Sequence, residues 1–76
     1  MEIHIETTPI KDVIVLQHEI FQDDRGFFLE SFRRDKFEEL GLPTEYVQDN
    51  HSGSVHGVLR GLHFQWDPPV GKLMRV

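Results

Sequence analysis

Polar and apolar residues alternate with a period of two in several short stretches of the chain, a pattern typical of half-buried β-strands. The alternation is clear over residues 2–7 and ends at Thr8-Pro9. Residues 13–16 are a continuous run of Val, Ile, Val and Leu that continues more weakly to Phe21, which predicts a second strand that is covered on both faces or wrapped in a partner. Further strands are predicted at 27–32, 45–48, 58–65 and 72–76. The predicted fold class is therefore all-β.

One short helix is predicted among these strands, near residues 34–40. The apolar side chains there lie at helical spacing, Asp35 is the predicted N-cap, and Gly41 is a natural stop. Polar turns separate the strands, because Asp side chains bond nearby backbone amides and Gly permits positive φ angles. One such turn is predicted at residues 22–26.

The length of the chain and its lack of cysteine limit its stability. Seventy-six residues make one domain at most, and a chain of this size buries only about 60% of the surface that its unfolded form exposes. The sequence has no cysteine, so neither a disulfide nor a cysteine-bound structural zinc is expected. We therefore expect residues 1–76 to form a single domain that gains stability by association with another chain.

The net charge of the chain bears on whether it binds nucleic acid, and its first residues bear on its cellular location. The formal net charge is −5 and the basic residues are spread along the sequence, which argues against nucleic-acid binding. Residues 1–10 carry Glu2 and Glu6 and no long apolar core, so no signal peptide or membrane segment is predicted and a cytoplasmic protein is expected. The last predicted strand reaches Val76 without a turn, as in a chain cut within a sheet.

Candidate chemistry lies in residues 59–65, where a cation, a glycine, an imidazole and a carboxamide stand on a predicted strand. His63 has Gln65 where the second imidazole of a β-barrel metal site would lie, so no metal site is predicted. Nearby cations favour a neutral imidazole, which can act as a general base. Arg60, His63 and Lys72 therefore suggest proton abstraction next to a carbonyl, with the arginine holding an anion and the lysine stabilising the carbonyl oxygen. A core histidine bonded to backbone, with cations on the surface, explains the same residues.

Two more charged residues belong to the third predicted strand. Glu30 would lie between Phe28 and Phe32 on one strand face, and Arg25 lies at the mouth of that strand. Both suit a binding site, and both suit the ordinary role of an edge-strand side chain that reaches water. A serine hydrolase is not predicted, because the chain has no Gly-x-Ser-x-Gly elbow.

Four motifs occur in an order that resembles the dTDP-4-dehydrorhamnose 3,5-epimerase family. They are residues 21–31, residues 47–52, residues 58–65 and the Lys72-Leu73 pair. The resemblance covers essentially the whole chain, which corresponds to the N-terminal part of the usual family member. It implies a double-stranded β-helix, the cupin-type jelly roll, with no metal and no cofactor. It also implies a homodimer that exchanges N-terminal strands.

The resemblance implies a substrate and a set of site residues. The substrate would be dTDP-4-dehydro-6-deoxyglucose, epimerised at C3 and C5 on the way to dTDP-rhamnose. His63 matches the base of the family, and Lys72 matches the lysine near the C4 oxygen. The residues that match substrate contacts of the family are Arg60, Gln48, Asp49 and Asn50. The residues that match its nucleotide-holding region are Arg25, Glu30, Phe21 and Phe27.

The sequence lacks two parts that the resemblance implies. Neither the proton-donating tyrosine of the family nor the carboxylate that orients its histidine has a counterpart within residues 1–76, and Tyr46 does not match that acid. We therefore expect the isolated chain to be inactive in turnover. Two alternatives remain: a nucleotide-sugar-binding module without catalysis, and an assembly module whose strands swap between copies.

Overall fold

The first two strands form an antiparallel pair in the computed structural model, which describes residues 2–76. Strand β1 (Ile3–Thr7) pairs with β2 (Ile14–His18), with Ile3 opposite His18 and Thr7 opposite Ile14. The Thr8 hydroxyl closes the connection, because it lies 2.6 Å from the carbonyl oxygen of Val13. The two strands predicted at the start of the chain are thus confirmed.

The β1–β2 sheet has one half-buried face and one exposed face. Ile3, Ile5, Leu16 and His18 share the half-buried face, as the strand register requires. The alternative that a partner covers this strand stays a prediction, but the prediction that the chain itself covers both faces is wrong, since Val15 is exposed on the other face. The physical reason is that no other element of residues 2–76 packs against this sheet.

The two histidines of this sheet differ in environment. His4 is exposed, and its Nε2 lies 3.9 Å from the Glu6 carboxylate. His18 is half-buried, and its Nε2 is shielded from solvent without a hydrogen-bond partner among the described residues.

A second antiparallel pair follows as a tight hairpin. Strand β3 (Phe21–Asp23) pairs with β4 (Gly26–Phe28), with Asp23 opposite Gly26. The predicted turn is therefore shorter than residues 22–26, and Gly26 has a φ of +127° that L side chains rarely adopt. The strand predicted over 27–32 ends early, so Glu30 does not lie between two phenylalanines on a strand.

Helix α1 (Arg34–Glu39) carries the one fully buried apolar side chain of the described residues, Phe37, with 0% exposure. The Phe32 ring packs edge to face against Phe37 with a centroid distance of 4.7 Å, and the Tyr46 ring packs edge to face against the Phe32 ring at 5.8 Å. We call these three rings the aromatic cluster.

Both ends of α1 bear on the sequence predictions. Gly41, at a φ of +74°, ends the helix with two reverse hydrogen bonds, from Gly41 N to the Glu38 oxygen and from Leu42 N to the Phe37 oxygen, as predicted for a glycine stop. The predicted Asp35 N-cap is wrong, since Arg33 holds the N-cap position without a side-chain cap. The Asp35 carboxylate instead binds the Arg33 guanidinium.

The chain after α1 forms no regular helix or strand within residues 40–76 beyond one isolated bridge between Trp66 and Pro69. The strands predicted at 45–48, 58–65 and 72–76 are therefore absent. Leu59 and Phe64, two apolar residues of the predicted strand at 58–65, are 92% and 85% exposed. A strand needs a neighbour for its backbone groups, and none pairs with these segments here.

The described elements are two small antiparallel sheets and one short helix, which agrees with the all-β class. No helix within residues 2–76 is long and apolar enough to cross a membrane.

Candidate functional site

The β3–β4 hairpin carries three of the predicted site residues. Phe21, Arg25 and Phe27 line an open groove of about 400 Å³. Phe21 pairs with Phe28, and Phe27 pairs with Gln22, so the rings of Phe21 and Phe27 point to opposite faces of the hairpin. Both rings are exposed. The hairpin brings the three residues together without stacking the two rings.

Arg25 is held at the tip of this hairpin by Asp23. The Asp23 Oδ1 accepts the Arg25 backbone N–H at 2.8 Å, while Oδ2 accepts from Nε at 3.1 Å and from Nη2 at 2.6 Å. The backbone bond is an Asx turn, which suits a two-residue hairpin loop. The guanidinium lowers the pKa of the Asp23 carboxyl below its usual value and has its own pKa raised.

Glu30 belongs to a second charged group at the start of α1. Its Oε1 lies 3.7 Å from Nη1 of Arg33, whose Nε and Nη2 donate to Asp35 at 2.7 and 2.9 Å. This two-point contact with Arg33 lowers the pKa of Asp35 to about 2. The Glu30 side chain stays 42% exposed beside this arginine.

The predicted substrate-contacting segment Gln48-Asp49-Asn50 is an exposed stretch without regular structure. Its one internal side-chain contact joins Gln48 Nε2 to Asn50 Oδ1 at 3.4 Å. Asp49 makes no hydrogen bond or ion pair with the described residues. The segment therefore presents three polar side chains to solvent.

Arg60 is fixed by an acceptor in the preceding loop. Its Nε donates to the Ser54 hydroxyl at 2.6 Å, and its Nη2 lies 3.4 Å from the Gly53 carbonyl oxygen. Both contacts are exposed. Arg60 thus resembles Arg25, since in each side chain a local acceptor takes Nε and leaves further donors free.

His63 and Lys72 are not brought together by any contact within residues 2–76. Both are exposed, and neither makes a hydrogen bond or ion pair with a described side chain. The predicted strand that was to carry His63 is absent. The described residues also contain no group of three or more His, Cys, Asp or Glu side chains placed to hold a metal ion.

Comparison with known proteins identifies the family. The model of a family described as dTDP-4-dehydrorhamnose 3,5-epimerase matches residues 7–76. The chain belongs to this epimerase family. Every predicted site residue lies within the matched range.

Curated members of the epimerase family are about half identical to this chain. Proteins named dTDP-4-dehydrorhamnose 3,5-epimerase are 51% identical over 69 residues in Methanothermobacter thermautotrophicus, 54% over 70 in Shigella flexneri and 55% over 67 in Pseudomonas aeruginosa. The alignments cover 91%, 90% and 87% of this chain but 37%, 39% and 37% of those relatives. The chain thus spans about two-fifths of their length. No solved structure matches it.

Two contacts of the candidate site escaped the sequence analysis. Asp23 lies two residues before Arg25 in a turn, a spacing at which an Asp side chain bonds the backbone, so this contact had a signal in the sequence. Ser54 reaches Arg60 across six residues of irregular chain. No local pattern indicates that contact.

Proposed function

We propose that the chain is part of a nucleotide-sugar epimerase that acts on dTDP-4-dehydro-6-deoxyglucose at C3 and C5, on either side of the C4 ketone. The observation that carries the proposal is the family match over residues 7–76. The relatives share about half of their aligned residues with this chain, and their names support the proposal that it is part of an isomerase.

The proposed chemistry is abstraction of a proton next to the ketone. Such a step needs a placed base and a fixed positive charge where the enolate oxygen develops. His63 is the proposed base, and Lys72 is the proposed cation near the C4 oxygen. Arg60 and the Gln48-Asp49-Asn50 segment would bind the substrate around them. The step moves protons only, and no cofactor is proposed.

The hairpin is the proposed holder of the nucleotide. A protein with a net charge of −5 needs local positive charge to attract a diphosphate, and an arginine supplies it with a two-point hydrogen-bonding edge. Arg25 carries this role at the hairpin tip. Glu30, Phe21 and Phe27 are the proposed further contacts to the nucleotide.

We further propose that residues 1–76 belong to a cupin-type jelly roll within a cytoplasmic homodimer. Two features support the proposal that strands outside the described residues pair with these two sheets. Both two-stranded sheets have unpaired edges within the described residues, and Leu59, Leu62 and Phe64 are exposed apolar side chains on one segment.

The second candidate function is nucleotide binding without turnover by the isolated chain. The exposed and unbonded state of His63 within the described residues favours it, since a base that is not held in place loses the advantage of proximity. We expect that the purified chain does not accelerate deuterium uptake at C5 of the ketosugar nucleotide above the uncatalysed rate. Uptake that disappears in His63→Ala would contradict this expectation.

A titration of the purified chain with dTDP, followed by NMR, tests the nucleotide-binding part of the proposal. We expect Arg25→Ala and Arg60→Ala each to weaken binding about tenfold, because each removes charged hydrogen bonds. Arg34→Ala is the matched control, since Arg34 lies on α1 and pairs with Glu38. An affinity that is unchanged in both test variants, or no binding by the unaltered chain, would contradict the proposal.

A further inference from the structure

We propose that Asp23 is a positioning residue that holds the guanidinium of Arg25 by one edge and so presents its other edge to the diphosphate of the ligand. The inference rests on the proposed function, because it takes Arg25 as a nucleotide-binding residue. It adds a residue to which the family resemblance assigned no role.

The contact between the two residues has three points. One carboxylate oxygen of Asp23 accepts the Arg25 backbone N–H, and the other accepts from Nε and Nη2 of the same residue. The carboxylate therefore fixes both the backbone and the far end of the Arg25 side chain. Because Asp23 is itself paired with Gly26 across the hairpin, the guanidinium is tied to the β3–β4 ladder.

The donors that Asp23 leaves free form a second binding edge. A guanidinium has five N–H donors in a planar fork, and Asp23 takes the Nε–H and one Nη2–H. The two Nη1 hydrogens and the second Nη2 hydrogen have no partner in the part of the chain that the structure describes. The Nη1–Nη2 edge suits two-point binding of a phosphate.

Two effects of Asp23 on anion binding oppose each other. Its negative charge reduces the attraction of the site for a phosphate, but water and salt screen this effect at an exposed pair. Its hydrogen bonds order a long side chain before the ligand arrives, which removes a cost that binding otherwise carries. We infer that ordering outweighs repulsion, so that losing the carboxylate weakens dTDP binding roughly three- to tenfold.

Asp23→Asn is the informative substitution. Its amide oxygen can still accept the Arg25 backbone N–H, so the turn is retained while the charged contact with the guanidinium is lost. Asp24→Asn is the matched control, because Asp24 is the next residue in the same turn and makes no side-chain contact with the described residues. Both variants change the net charge equally.

The first measurement needs no ligand. In the ¹⁵N-labelled chain, the Arg25 Nε–H should exchange slowly with solvent in the unaltered protein and in Asp24→Asn, and several-fold faster in Asp23→Asn. Equal exchange rates in all three would overturn the proposal, since Asp23 would then not hold the side chain in solution.

The second measurement is the dTDP affinity of the same chains, with Arg25→Ala and the double variant Asp23→Asn/Arg25→Ala added. We expect weaker binding in Asp23→Asn, no change in Asp24→Asn, and no further loss when Asp23→Asn is combined with Arg25→Ala. Unchanged or tighter binding in Asp23→Asn, or a further loss in the double variant from damage to the hairpin, would overturn the inference. Absence of dTDP binding by the unaltered chain would contradict the proposed function itself.

Discussion

At the scale of single residues, arginines of this chain are ordered by acceptors close to them in sequence. Arg33 binds Asp35 through two nitrogens, and Arg25 binds Asp23 in the same manner. The Asp23 contact follows from turn chemistry and is open to prediction from sequence. The contact from Arg60 to Ser54 depends on the path of an irregular loop, and sequence patterns carry no information on that path.

The Asp35 carboxyl should titrate near pH 2, because the bound Arg33 guanidinium lowers its pKa from the ordinary 3.8. A lowered pKa in the folded state means that the contact stabilises the fold above about pH 3.8 and that this contribution is lost as pH falls through about 2. A ¹³C NMR titration of the side-chain carboxyl measures the midpoint.

Arg33→Gln should return the Asp35 midpoint towards 3.8, the ordinary value. Arg34→Gln is the control, since Arg34 donates to Glu38 and not to Asp35. A midpoint that is already ordinary in the unaltered protein would show that the Arg33 contact does not persist in solution.

At the scale of elements, the sequence predicted those parts whose structure is decided locally. The β1–β2 pair has a strand register that puts its alternate apolar residues on one face, and α1 has Gly41 at its end. The segments after Leu40 carry strand patterns as well, yet they stay irregular because pairing requires another strand. The pairing of strands that are distant in sequence therefore could not be predicted from residue patterns.

Phe37→Ala should disrupt the aromatic cluster, because Phe37 is fully buried and removal of a buried phenylalanine costs about 3 kcal/mol or more. The Tyr46 ring signals should move towards the values of an unstructured tyrosine in NMR spectra. Phe64→Ala is the matched control, since that ring is exposed. If both variants leave the Tyr46 signals and the urea midpoint unchanged, the cluster does not stabilise the fold.

At the scale of the whole molecule, the described residues support an all-β class and the family, while the jelly roll remains a proposal. The motifs around Arg25, Gln48-Asp49-Asn50 and His63 were sufficient to indicate the family from sequence. The geometry of the site could not be predicted from these motifs, because His63 and Lys72 lie on segments that have no paired strand within residues 2–76. The chain spans about two-fifths of the relatives it matches, and we propose that the remaining strands of a complete jelly roll order these segments.

The most direct measurement of the central claim is deuterium uptake at C3 and C5 of dTDP-4-dehydro-6-deoxyglucose in D₂O, catalysed by a chimera. In it, this chain replaces the matching segment of the Methanothermobacter relative, to which it is 51% identical over 69 residues. We expect uptake at both positions, a loss of about 10²-fold or more in His63→Ala because the general base is removed, and no change in His56→Ala, an exposed histidine outside the proposed site. Equal uptake in the two variants would contradict the assignment of His63 as the base, and no uptake by the unaltered chimera would contradict the proposed epimerase function.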